Sequence, residues 1–135
     1  MYPKDKLKKE WIQDKITDEA VEWAKSFGEY LTKEDSLNPL TTSQIRRFFG
    51  ELKRIQADPE KYQEDIPMLK AKLAYAVGRD KKSRGKFSKI RKFYEELEKG
   101  INSIRKGNTN DLTRFIKMVE SIVAYHKFFG GKDNR

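Results

Sequence analysis

The stretch TTSQIRRFFGELKRIQA, residues 41–57, decides the fold. Its apolar residues Ile45, Phe48, Phe49, Leu52 and Ile55 recur at three- and four-residue steps, the spacing that puts side chains on one side of an α-helix. At about 100° per residue, Arg46, Arg47, Lys53 and Arg54 gather on the opposite side, with Glu51 at its edge. One face is therefore read as core and the other as an outward basic surface. Thr41 and Gln44 form a T-x-x-Q capping box that marks the start. Gly50 lies in the middle of the basic arc, where a glycine costs about 1 kcal/mol relative to alanine. Two readings account for it: a nucleic-acid backbone lies across this face and needs the absent side chain, or another helix crosses closely there.

Moving upstream, residues 1–14 are mostly charged and are expected to be a loose lead-in, with Trp11 and Ile12 as anchors. Thr17 or Asp18 can cap a helix running to Leu31, whose inward stripe is Ala20, Ala24, Phe27 and Leu31, flanked by Trp23 and Tyr30. Residues 32–40, with Asn38 and Pro39, form a turn. Downstream, Asp58-Pro59 stops the central helix, and Asp65 and Pro67 open another through Met68, Leu69, Leu73, Ala76 and Val77 to Gly78. Lys70 and Lys72 project from that helix and Arg79 follows it.

The run RDKKSRGKFSKIRK, residues 79–92, holds eight basic residues against one acid, Asp80. Its first half has no apolar period. It is read as a loop that grips a nucleic-acid backbone, against the plainer reading of a solvated segment. Phe87, Ile90, Tyr94, Leu97, Ile101 and Ile104 then predict a helix of about twenty residues ending at Gly107, in which Gly100 marks a bend or a close crossing. Asn110 or Asp111 is expected to cap the last helix, carried by Leu112, Phe115, Ile116, Val119, Ile122, Val123 and His126 until the glycines at 130 and 131, with a frayed tail over residues 132–135. No strand-length alternation competes. The expected fold is all-α, a compact bundle of about five helices in a single domain spanning residues 1–135.

Net charge is +9, and it is unevenly spread: residues 1–40 hold 7 basic and 9 acidic residues, leaving 23 and 12 for residues 41–135. Such a surface suits polyanions, nucleic acid above all. With no cysteine and one histidine, disulfides, thiolate metal sites and a histidine pair are excluded for a single chain. His126, on the apolar stripe beside Tyr125, is read as a hydrogen-bonded core or interface residue. Glu95, Glu96 and Glu98 spread around their helix and are read as a solvated face, not a metal cluster. No phosphate-binding glycine loop, nucleophile elbow or metal-ligand spacing is present, so no cofactor and no enzymatic activity are expected. With no apolar run of membrane-spanning length, a cytoplasmic protein with no membrane partner is expected.

Three blocks, LTTSQIRRFFGELKRIQ (residues 40–56), MLKAKLAYAVGR (68–79) and FIKMVESIVAYHKFFGG (115–131), resemble the small subunit of the type III-A CRISPR effector, the Csm interference complex. They cover about a third of the chain in the family's order and spacing. The resemblance implies a non-catalytic helical subunit present in several copies, stacked along guide RNA and target RNA beside the backbone and large subunits. By position, it carries the family's basic patch onto Arg46, Arg47, Lys53 and Arg54, and onto Lys70, Lys72 and Arg79. The loop residues Lys81, Lys82, Arg84 and Lys86 have the right charge on a less defined motif, and Gly50 lies within the patch. Tyr125 and His126 belong to the closing signature and are read as structural or subunit-contacting. Copies that touch also need an apolar contact, for which Phe48 and Phe128 are candidates.

The basic face agrees with that implication in kind. RNA held by other subunits is gripped through shape, phosphate and 2′-OH contacts, and a subunit riding on a changing guide must not read sequence. Three other readings compete: the small subunit of the type III-B complex, a DNA-binding helical regulator using residues 41–57 as a recognition helix, and a carboxylate-metal nuclease.

Overall fold

A computed structural model describes residues 6–80 and 88–132. Among them six helices occur: α1 (Lys9–Gln13), α2 (Asp18–Thr32), α3 (Thr42–Ala57), α4 (Asp65–Gly78), α5 (Lys89–Asn102) and α6 (Thr109–Phe128). The fold is all-α. The twenty-residue α6 packs most extensively on α2 and also touches α1 and α3, while α4 bridges α3 and α5. One hydrophobic cluster joins all six helices, with Phe27, Leu52, Leu69, Leu97, Phe115 and Ile122 fully covered.

Local chemistry explains most boundaries. Thr41 Oγ1 accepts from the Gln44 backbone N–H at 3.1 Å, and Gln44 Oε1 accepts from Thr41 N–H at 2.9 Å, the reciprocal box read in the sequence. Thr17 caps α2 by accepting from Ala20 N–H. The start of α6 differs from expectation: Asn108 is the cap, accepting from Asp111 N–H at 2.9 Å, and Asn110 and Asp111 lie within the first turn. The fourth expected helix is also shorter, fourteen residues instead of about twenty. Past Asn102 the chain turns so that Arg105 N–H donates to the Asp111 carboxylate at 2.9 Å.

Within the expected lead-in, residues 9–13 form the short helix α1. Leu7, Trp11 and Ile12 are buried, Trp11 meets Trp23 at 5.7 Å, and the end of α1 is fastened by two arginines. Arg114 Nε donates to Ile12 O and Arg105 to Gln13 O. At the other terminus Lys132 O accepts from Thr42 N–H at 2.9 Å, which ties the end of the described chain to the start of α3.

Two glycines set how closely helices approach. A Cβ at Gly28 in α2 would stand 2.8 Å from Tyr125 Cβ, and one at Gly100 in α5 would stand 2.6 Å from the Phe115 ring. Gly100 thus marks a close crossing.

Three charged side chains that read as solvent-facing or as a cap are buried. Lys89 is 0% exposed, and its ammonium donates to Tyr30 O (2.8 Å), Lys33 O (2.7 Å) and Asp35 Oδ2 (3.1 Å). All three N–H donors are thereby used, two of them on carbonyls at the end of α2. Glu96, expected on a solvated face, accepts from Leu7 N–H and pairs with Lys6 and Lys99. Asp111 binds Arg105 through both oxygens and also Arg114. These partners hold its carboxyl down to about 2, the Arg105 hydrogen bond first.

Candidate nucleic-acid interface

The inward stripe of α3 is Ile45, Phe48, Leu52 and Ile55, all buried, with Phe49 half-buried. Phe48 meets Phe93 edge-on at 5.7 Å and is core, not a contact surface for another copy. On the other side Arg46, Arg47, Gly50 and Lys53 are exposed. Lys53 Nζ donates to Gln56 Oε1 and lies 5.4 Å over the Phe49 ring. Among the described residues none of Arg46, Arg47 and Lys53 has a carboxylate partner. A Cβ built at Gly50 meets nothing within 4 Å, so among the described residues no helix crosses there.

The rest of the sequence-predicted patch divides. Arg54 pairs with Glu51 (2.9 Å) and Asp65 (3.1 Å) and lies 4.5 Å over the Tyr62 ring, with its pKa raised by Glu51 first and Asp65 second. Lys72 reaches the same Glu51 oxygen at 2.8 Å. Hydrogen bonds from Lys72 and then Arg54 hold the Glu51 carboxyl below its ordinary value. Glu51, which looked peripheral, is thus the node of an ion-pair network joining α3 and α4. A network of this kind spends charge on the fold that would otherwise attract a polyanion.

Arg47 from α3, Lys72 from α4 and Arg79, which follows α4, line one cleft of about 530 Å³, whose floor includes Phe48, Leu73, Ile90 and Phe93. Arg79 lies 5.9 Å from the ring of Tyr75, itself 69% exposed. Tyr75 stands off the Leu69, Leu73, Val77 stripe, and Met68, at the start of the apolar run of α4, is 51% exposed. Lys70 lies elsewhere: its Nζ donates to Asn102 Oδ1 at 2.8 Å, and it lines a second cleft with Arg105. The loop residues Lys81, Lys82, Arg84 and Lys86, and Phe87 of the expected core stripe, lie outside the described residues.

His126 is buried, 1% exposed, with Nε2 2.8 Å from the Leu40 carbonyl oxygen. A carbonyl can only accept, so Nε2 carries the proton. Burial lowers the ring's pKa, against the opposing effect of this bond. The ring is closed over by Gly131, where a side chain would collide with it. Among the described residues no three His, Asp or Glu side chains gather to hold a metal, and no helix is long and apolar enough to cross a membrane.

These features define a small all-α protein with an uncompensated basic arc on one rigid, well-capped helix. Residues 14–132 match the family model described as Csm2 Type III-A. A curated relative from Streptococcus thermophilus, named "CRISPR system Cms protein Csm2", is 30% identical over 99 residues, covering 70% of this chain and 76% of the relative. No solved structure matches. The chain belongs to the Csm2 family of type III-A CRISPR systems, and is a subunit of a type III-A complex. The type III-B reading gives way to this assignment.

Proposed function

We propose that the chain is a non-catalytic scaffold that grips RNA backbone in the type III-A complex, several copies lying along guide and target RNA beside the backbone and large subunits. Arg46, Arg47 and Lys53 are the primary contacts, with Arg79 beside them across the cleft. Arg54, Lys70 and Lys72 keep their charge but are already engaged within the fold, so their contribution is smaller. The loop cations Lys81, Lys82, Arg84 and Lys86 extend the same basic sequence and belong to the proposal on charge alone. The observation that carries it is the open space over Gly50 amid exposed cations that lack a carboxylate partner among the described residues. A phosphate chain laid across that gap reaches arginine and lysine on both sides. Fixed donors on a helix suit such contacts and carry no base information.

The test is binding of the purified chain to random-sequence RNA, single-stranded and duplex, with RNA integrity followed on the same gels. Sequence-indifferent binding without degradation is expected. Tight binding of one DNA operator would favour a regulator, and metal-dependent RNA loss would favour a nuclease.

A further inference from the structure

The cleft between α3 and α4 holds more than a surface for phosphates needs. It is lined at four-residue steps by Ser43, Arg47 and Glu51 from α3 and by Ala71, Tyr75 and Arg79 along the α4 side. Ala71 and Ala76 contribute only methyl groups, so the space above the apolar floor stays unfilled. Its volume of about 530 Å³ falls in the ~300–1,000 Å³ range of clefts that take small organic groups. Tyr75 stands on its wall, 69% exposed, 5.9 Å from the Arg79 guanidinium. The lining charges are mixed, yet they are not equally free. Glu51 is held by Lys72 and Arg54, and Asp80 is 4% exposed with the Gln44 amide 3.5 Å from its carboxylate. Arg47 and Arg79 are exposed and have no carboxylate partner among the described residues.

We propose that this cleft takes one unpaired nucleobase, with its faces against Tyr75 and the apolar floor and its flanking phosphates on Arg47 and Arg79. This rests on the RNA-gripping reading above and names the form of RNA that the same face prefers. Arg47 belongs to the outward arc of α3 and also lines the cleft, and it lies about one turn before Gly50. A strand crossing the gap at Gly50 therefore passes the mouth of the cleft, where a base turned out of the strand can enter. A base has two apolar faces to bury and a polar edge that stays wet, which matches an apolar floor below a charged rim. The two exposed arginines select the occupant, since a purely apolar partner side chain would leave them unused. Bases locked in a duplex keep their faces in the stack and cannot enter, so the cleft distinguishes unpaired from paired RNA. Stacking on an aromatic ring tolerates any base, so this discrimination adds no reading of sequence.

Affinity of the full chain for three short RNAs tests this: a mixed-sequence single strand, the same strand with abasic residues in place of its bases, and a blunt duplex. The wild type should bind the abasic strand at least about fivefold more weakly than the normal one, as loss of one stacked base requires. Tyr75→Ala removes the stacking face and Ala71→Leu fills the cleft. Both positions are exposed on α4, so both variants should keep the wild-type helical circular dichroism. Each should lose the preference for the normal strand over the abasic one. Each should also keep the wild-type salt slope and duplex affinity, because no phosphate contact is removed. Equal wild-type affinity for the normal and abasic strands, or either variant keeping the preference, overturns the proposal and leaves the scaffold reading standing. A variant that binds all three RNAs like the wild type yet fails to enter the assembled complex assigns the cleft to a protein partner, which also overturns it. A wild type that binds none of the three RNAs overturns both readings.

Discussion

Arg46 and Lys89 are both cations at the beginning of a helix, and they behave in opposite ways. Arg46, with Arg47 and Lys53, projects from α3 without a carboxylate partner among the described residues. Lys89 is fully buried and spends every N–H on Tyr30, Lys33 and Asp35. Positive charge in this chain thus divides in two: some of it closes helix ends inside the fold, and some is left outward, where the proposed RNA contact lies. Counting lysines and arginines cannot separate the two, whereas the position of acceptors can.

The comparison breaks first at Lys89. Lys89→Met takes one hydrogen bond from the Tyr30 carbonyl, which keeps the Lys33 N–H at 3.2 Å, and leaves the part-buried Lys33 carbonyl and Asp35 without the ammonium; it should lower stability by about 1–3 kcal/mol, read by denaturant unfolding, while the folded fraction binds RNA as before. Unchanged stability would mean that the buried ammonium is dispensable and the division is false. Acid should expose the same internal chemistry. Asp111 titrates near 2 in the fold against about 3.9 in an unfolded carboxylate, so the unfolded chain takes up the proton first. Its support is present above about pH 4 and is lost as pH falls toward 2. His126, a base held below its ordinary value by burial, also protonates first in the unfolded chain, so its support is lost as pH falls below about 6.5. Asp111→Asn should flatten the acid arm of a stability–pH curve; an unaltered arm would refute the assignment.

Glycine sharpens the contrast further. Gly100→Ala places a methyl against Phe115 and should cost about 1–3 kcal/mol, as overpacking does. Gly50→Ala enters open space and should stabilise α3 by about 0.5–1 kcal/mol while weakening RNA binding if the backbone passes there. Thermal melts of the two variants give the signs; equal signs would show that the two glycines serve one purpose.

Much of this was legible because it is local. The capping box of α3, the stripe Ile45, Phe48, Leu52, Ile55 and the outward arginines all follow from spacing within two turns, and the resemblance to the type III-A small subunit rests on such blocks. What the sequence hid depends on distant partners. Lys89 meets Tyr30 from 59 residues away and Glu96 meets Leu7 from 89, so each looked like one more charge on a solvated run. Segment 9–13 looked loose because Trp11 and Ile12 are its only apolar residues, yet Arg105 and Arg114 fasten its end from far along the chain. Arg54 looked equal to Arg46 until folding brought Asp65 beside it. Phe48 and Phe128 were indistinguishable as interface candidates until the core claimed the first.

The central claim is that the outward arc of α3 grips phosphates, and its most direct test is the salt dependence of RNA affinity for the wild type and for Arg46→Glu with Arg47→Glu. Both side chains are exposed, so the variant should keep its helical circular dichroism and unfolding midpoint. Its plot of log affinity against log salt should be shallower than the wild-type plot by about the slope of two phosphate contacts, with weaker binding at low salt. A variant that binds RNA with wild-type affinity and slope would contradict the account and move the RNA to another face of the molecule.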